Sequence, residues 1–160
     1  MATAQKISPV LWFDSEAEAA ATHYCAAFAD GRITRIERYG RDGPGPEGSV
    51  MIVAFELGGQ RFAGLNGGPM FTPNESVSFL ISCEDQAEVD RLWVHLSEGG
   101  STSMCGWLKD RWGFSWQIVP QLFFDMMDDP DAERKTRVFA AMMGMTKFDI
   151  AALKAAADVD

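Results

Sequence analysis

Cys105-Gly106-Trp107-Leu108-Lys109-Asp110-Arg111-Trp112-Gly113-Phe114-Ser115-Trp116-Gln117-Ile118-Val119-Pro120 reads as two strands joined by a turn. Asp110 and Gly113 occupy the first and fourth positions that a type I turn favours, and apolar residues flank both, so the stretch is expected to be a β-hairpin. Beyond the turn the residues alternate. Phe114, Trp116 and Ile118 point to one face and Ser115, Gln117 and Val119 to the other, because strand side chains have a period of two. Gln117 falls mid-strand on the less apolar face, where an amide either satisfies a structural hydrogen bond or lines a pocket.

Outward from this hairpin, the 160-residue chain has 47% hydrophobic residues, enough to build the core of one compact domain. Lys+Arg 14 against Asp+Glu 23 gives a net charge of -9, which repels phosphate backbones and anionic lipid. Nucleic acid and membrane partners are therefore not expected. Met1 to Lys6 carries no apolar core of signal-peptide length and no run has the length of a membrane span, so a cytoplasmic protein is expected. Cys25, Cys83 and Cys105 are widely spaced without a Cys-x-x-Cys, which suggests neither a disulfide framework nor a thiolate zinc site.

Upstream, Ile7 to Phe13 reads as a first strand with Pro9 near its start. Asp14 or Ser15 can cap a helix from about Glu16 to Ala29, in which Ala20, Tyr24 and Phe28 recur at four-residue spacing. Arg32 to Tyr39 alternates weakly, Gly40 to Gly48 is a loop, and Val50 to Leu57 and Gln60 to Asn66 flank a Gly58-Gly59 hairpin turn. The order then repeats. Ser76 to Cys83 is a strand, with Val77, Phe79 and Ile81 on one face and Ser76, Ser78 and Leu80 on the other. Asp85 can cap a helix to about Glu98 with the stripe Val89, Leu92, Trp93 and Leu96, and Gly99-Gly100 ends it. Asp14 to Ala19 and Glu84 to Val89 occupy the same strand-to-helix junction, so paired β-α-β-β-β modules are expected. Past Pro120 the chain reads as helical, with Asp129-Pro130 as cap and first-turn proline, then Val138, Phe139, Met142 and Met143 on one side; Asp149 can start a last short helix.

Leu11-Trp-Phe-Asp14, Leu65-Asn-Gly-Gly-Pro69, Asn74-Glu75, Ser82-Cys-Glu84, Glu88-Val-Asp90, Cys105-Gly-Trp-Leu-Lys-Asp110 and Gly113-Phe-Ser-Trp-Gln117 resemble the phosphonate-operon-B-like proteins, also called 3-demethylubiquinone-9 3-methyltransferase-like. These belong to the vicinal oxygen chelate (glyoxalase/bleomycin-resistance/dioxygenase) superfamily. The resemblance covers about residues 6 to 155. It implies an α+β fold in which two β-α-β-β-β modules form curled mixed sheets around a cavity, with C-terminal helices added. The expected organisation is one glyoxalase-like domain over residues 1–160, with module one at about 6–66, module two at about 76–119 and a helical extension at about 121–157. The resemblance also implies a homodimer, to which the tail residues Phe139, Met142, Met143 and Met145 would lend apolar surface.

Relatives that use a metal present, seven residues after the turn Asp, a Glu that maps here onto Gln117. A neutral amide supplies no charge to a hard cation. Neither the strand Ile7 to Phe13, nor Asn66, nor the Ser76/Ser78 region supplies a His or an acid, and His23 and His95 fall on the helices. No cofactor is expected and a divalent metal is disfavoured. A methyl donor of the nucleotide-sulfonium type needs a Gly-rich turn between a strand and a helix N-terminus, and no such turn is found. Whether the chain is an enzyme is left open and no catalytic residue is assigned. The preferred expectation is a metal-free small-molecule binding protein, or an enzyme of unknown substrate, with Asn66, Ser78 and Gln117 as neutral hydrogen-bonders and Trp107 and Trp12 as flat walls. The alternatives are a metal-dependent lyase or dioxygenase, and the methyltransferase of the family name.

Overall fold

The computed structural model describes residues 5–158, and Met1 to Ala4, on which part of the leader-peptide reading rests, lie outside it together with the last two residues of the expected 1–160 domain. The chain divides into two compact units, Met1–Pro73 and Asn74–Asp160. The fold is α+β, with one four-stranded mixed sheet in each unit.

In the first unit β1 (Val10–Phe13), α1 (Ala17–Ala27), β2 (Arg32–Arg38), β3 (Val50–Leu57) and β4 (Gln60–Asn66) form a sheet of order β1-β4-β3-β2. β1 runs parallel to β4 while the other pairs are antiparallel. The β3–β4 turn needs two residues with positive φ, and Gly58 and Gly59 adopt 53° and 75°. Both turn amides donate to the Asp30 carboxylate, at 3.0 and 2.9 Å. α1 buries Ala17, Ala20, Ala21 and Tyr24. Tyr24 meets Phe55, which stacks on Phe62 at 5.4 Å.

In the second unit β5 (Ser78–Cys83), α2 (Gln86–Ser97), β6 (Ser101–Thr102), β7 (Trp107–Lys109) and β8 (Ser115–Pro120) repeat the pattern, with order β5-β8-β7-β6 and β5 parallel to β8. The two sheets therefore share one topology, which establishes the β-α-β-β-β duplication. α2 lays fully buried Val89, Leu92 and Leu96 against the face bearing Leu108, Trp116 and Ile118. α3 (Gln121–Met127), α4 (Ala132–Met143) and α5 (Ile150–Ala157) complete the unit. The Gln86 side chain ties α2 to them, donating to the Phe148 carbonyl at 3.0 Å and accepting from Ile150 N at 2.8 Å.

Several boundaries differ from expectation. The first strand starts at Val10, and Ile7 is 83% exposed. The fifth starts at Ser78, because the Asn74 side chain holds Ser76 in a turn by accepting from its N–H at 2.9 Å, and Val77 is exposed. α1 is capped by neither Asp14 nor Ser15; Asn66 takes that role from β4. α4 is capped by Asp131 rather than Asp129, because the Asp131 carboxylate reaches the amides of Glu133 and Arg134. The stripe expected on α4 is split: Val138 and Met142 are buried, whereas Phe139 and Met143 are about half exposed. Among the described residues no helix is long and apolar enough to cross a membrane.

Candidate functional site

In the second sheet, register decides which side chains share a face, since residues directly opposite on paired strands project the same way. Ser78 pairs with Ser115, Ser115 with Lys109, and Lys109 with Ser101. Along the next rung Leu80 pairs with Gln117, and Gln117 with Trp107. This face is turned away from α2, because Phe79, Trp116 and Leu108 alternate to the other side. A polar row and an amide-and-indole row thus lie side by side. Gln117 Nε2 donates to Ser78 Oγ at 2.8 Å, so three of the expected site residues, Ser78, Gln117 and Trp107, share one surface.

Beside them is a cleft of about 510 Å³ whose lining includes Glu75, Cys105, Trp107, Lys109 and Ser115. The Lys109 ammonium pairs with the Glu75 carboxylate, and that hydrogen bond is the main cause that holds the Glu75 carboxyl below its ordinary value. Ser115 is 2% exposed, and among the described residues nothing bonds to its hydroxyl oxygen. Burying an unpaired hydroxyl costs about 1–3 kcal/mol. Cys105 on the rim has φ 59°, the left-handed region that a non-glycine residue seldom adopts. Its amide donates to the Met145 carbonyl at 2.7 Å and that of Gly106 to Thr146 at 2.8 Å, which fixes this conformation. Cys83 is fully buried, and burial pushes its thiol up to about 12, so it is no nucleophile at neutral pH.

The other two expected site residues belong to the first unit. Trp12 and Asn66 line a cleft of about 650 Å³ with Tyr39 and Glu18. The Trp12 indole donates to the Gly68 carbonyl at 2.8 Å and meets Phe71 edge-on at 4.9 Å. The Asn66 amide is engaged at both ends: Oδ1 accepts from Ala17 N at 2.9 Å and Nδ2 donates to the Val50 carbonyl at 3.0 Å. It ties α1 and β3 to β4. Lys109, Ser115 and Glu75 were not among the expected site residues. Lys109 and Ser115 stand in the opening hairpin, and their shared face follows from its register.

The donor set does not suit a hard divalent cation. Gln117 and Ser78 are neutral and bonded to each other, Asn66 is consumed by backbone groups, and His23 and His95 lie on α1 and α2. Among the described residues no group of three or more His, Cys, Asp or Glu could hold a metal. Among the described residues, the amides of the Gly58-Gly59 turn and of four helix N-termini are likewise already engaged. Asp30 occupies the Gly58-Gly59 amides, and Asn66, Asp85, Asp131 and Asp149 cap α1, α2, α4 and α5.

Two mixed sheets, each wound β-α-β-β-β with its first strand parallel to its last, define a protein of the glyoxalase-like fold class. Residues 5–119 match the family described as 3-demethylubiquinone-9 3-methyltransferase, and the chain belongs to that family. It is similar to the PhnB protein of Bacillus cereus, with 34% identity over 72% of this chain and 99% of that one and a TM-score of 0.65. Protein PA1353 of Pseudomonas aeruginosa shares the fold at 23% identity and TM-score 0.61, covering 73% of this chain and 98% of that one. A gene product of Arabidopsis thaliana, At5g48480, does so at 17% identity and TM-score 0.50, covering 71% and 97%. A search of the curated proteins finds no match. The family match ends at Val119, ahead of α3, α4 and α5.

Proposed function

We propose that this chain binds a small planar organic molecule without a metal ion, and that the ligand rests on the face of the second sheet turned away from α2. A quinone or another aromatic carbonyl compound has the required shape. The observation that carries this reading is the Ser78–Gln117 hydrogen bond in register with Trp107, a neutral polar pair beside an aromatic wall. Small-molecule sites are built in this way, with aromatic surface for area and a few placed polar groups for orientation. The metal-dependent lyase or dioxygenase reading is less well supported, because Gln117, Ser78 and Asn66 are neutral and already bonded and Glu75 is paired with Lys109. The methyltransferase reading rests on the family description alone, and the N-termini of α1, α2, α4 and α5, already capped by side chains, lend it no support.

Thermal-shift titration with menadione tests the proposal. Wild type should show a saturable rise in Tm. Gln117→Ala should keep its own Tm within a few degrees, since about 1 kcal/mol is at stake, and should lose the response. A mutant that unfolds outright, together with a wild type that never responds, would make Gln117 structural and end the proposal. Elemental analysis of protein purified without chelator should find no stoichiometric Zn, Mn, Fe or Ni. We further propose a homodimer, supported by exposed Phe139 and Met143 on α4; light scattering at about 17.6 kDa across micromolar concentrations contradicts it.

A further inference from the structure

The cleft beside Trp107 carries two features that the Ser78–Gln117 pair and the Trp107 wall leave unused. It contains a cation, Lys109, whose partner Glu75 comes from the exposed segment preceding β5. It contains the Ser115 hydroxyl, sealed from water and without a partner among the described residues. Both side chains stand on one rung of the sheet, since Lys109 and Ser115 are register partners, and the Trp107 ring lies two residues along β7 on the same face. Buried polar atoms in folded proteins are ordinarily satisfied, so an unpartnered one just beneath a cleft wall marks a place for a group that arrives from outside and reaches it by a small local shift. The incoming group must suit a hydroxyl donor and an ammonium together, and that combination selects an anionic oxygen.

We propose that this cleft recognises a planar organic anion of single negative charge, of which an aromatic monocarboxylate is the simplest form. Its carboxylate replaces that of Glu75 on Lys109 and accepts the hydroxyl hydrogen of Ser115, while its ring lies against Trp107. Glu75 then acts as an internal stand-in for the ligand, holding the cation in place when the cleft is vacant. Its side chain is 62% exposed, so swinging out returns it to water at small cost. One cation against a net charge of -9 favours a monoanion over a polyanion. This inference rests on the proposed function, because it assigns the charge of the same ligand.

Benzoate and its neutral isostere benzamide are the probes, read by amide chemical-shift titration of the full chain. Benzoate should perturb the amides of Trp107 to Ser115 saturably and benzamide should bind markedly less well. Glu75→Gln removes the competing carboxylate from an exposed position and should tighten benzoate by about threefold. Lys109→Met should weaken it by about tenfold. Ser115→Ala should weaken benzoate while raising the Tm of the ligand-free protein, a pairing that a purely structural serine would not give. Equal affinity for benzamide and benzoate, or a Glu75→Gln variant that binds benzoate no more tightly than wild type, overturns the inference. If menadione shifts the Tm and depends on Gln117 while benzoate perturbs nothing, the charge assignment fails and the proposed function stands.

Discussion

Asp110 Oδ2 accepts the indole N–H of Trp116 at 2.9 Å, and its Oδ1 accepts the amides of Trp112 and Phe114 at 2.9 and 3.1 Å. One carboxylate thereby closes the turn and anchors the largest fully buried side chain of the second unit, with Asp110 at 3% and Trp116 at 1% exposure. Asp110→Ala would leave these donors unpaired in the interior. The expected cost is about 3–5 kcal/mol, or a fall in Tm of roughly 10 °C. Asp110→Asn keeps an oxygen for the turn amides but aims an amide N–H₂ at the indole, and should fall between the two. Calorimetry on both variants checks this; an Asp110→Ala protein that melts with wild type contradicts the anchoring role.

Asn66 and Gln117 are both polar residues on strands, yet their substitutions should behave differently. Asn66 is nearly buried, caps α1 through Ala17 and holds the Val50 carbonyl. Asn66→Ala removes a helix cap and leaves a carbonyl unpaired, at a cost of about 2–3 kcal/mol. Gln117 makes one bond, to an adjacent hydroxyl, and should cost far less. Urea midpoints for the two alanine variants measure the contrast, and equal destabilisation would place Gln117 among the structural residues.

What could be read from the sequence was what is local to the chain. The Asp110-to-Gly113 turn, the Gly58-Gly59 turn and the Asp85 and Asp149 caps each depend on residues within four positions of one another, and the structure has all of them. The α1 cap was not legible because Asn66 lies 49 residues from the amide it binds. β6, which the β-α-β-β-β order requires, has no visible position in the sequence because two residues show no period. The α4 cap went to Asp131 because Pro130 stands between two acids that are equally good caps by type. The Lys109–Glu75 pair joins β7 to the segment before β5, so it exists only once β8 has brought those strands into one sheet. The missing partner of Ser115 is likewise a property of packing, which alternation cannot foretell.

Acid should weaken the fold through the Asp131 cap and the Asp90–Lys147 pair. The Asp131 carboxyl is held below its ordinary value, chiefly by the backbone hydrogen bond from Arg134, and Asp90 is held down chiefly by the Lys147 hydrogen bond. A carboxyl with a lowered folded pKa contributes stability that is complete above its unfolded value of about 4 and is lost as pH falls through the folded one. Urea midpoints should therefore be flat from pH 7 to 5 and decline below pH 4. Asp131→Asn keeps an oxygen acceptor for the Glu133 and Arg134 amides but cannot titrate, so its midpoint should fall less between pH 7 and 3. A decline identical to that of wild type would remove Asp131 from the acid response.

Cys105 and Gly106 stand together in the left-handed region, at φ 59° and 79°, where β7 begins on the rim of the second cleft. Their tolerances should be opposite. Cys105 already carries a Cβ there, a strain of about 1–2 kcal/mol that Cys105→Gly relieves while loosening the unfolded chain, so its Tm should stay near that of wild type. At Gly106 an added Cβ would lie 2.6 Å from the Ile118 carbonyl oxygen and 2.8 Å from the Phe148 ring. Neither neighbour can retreat. Ile118 belongs to β8, with its amide bonded to the Gly106 carbonyl at 2.8 Å, and Phe148 is 1% exposed. Gly106→Ala should therefore cost about 3 kcal/mol or more and lower Tm by roughly 6–12 °C, combining overpacking with backbone strain. Differential scanning calorimetry of the two variants decides it: if Cys105→Gly proves the more damaging, the side chain of Cys105 holds the rim and the backbone argument is wrong.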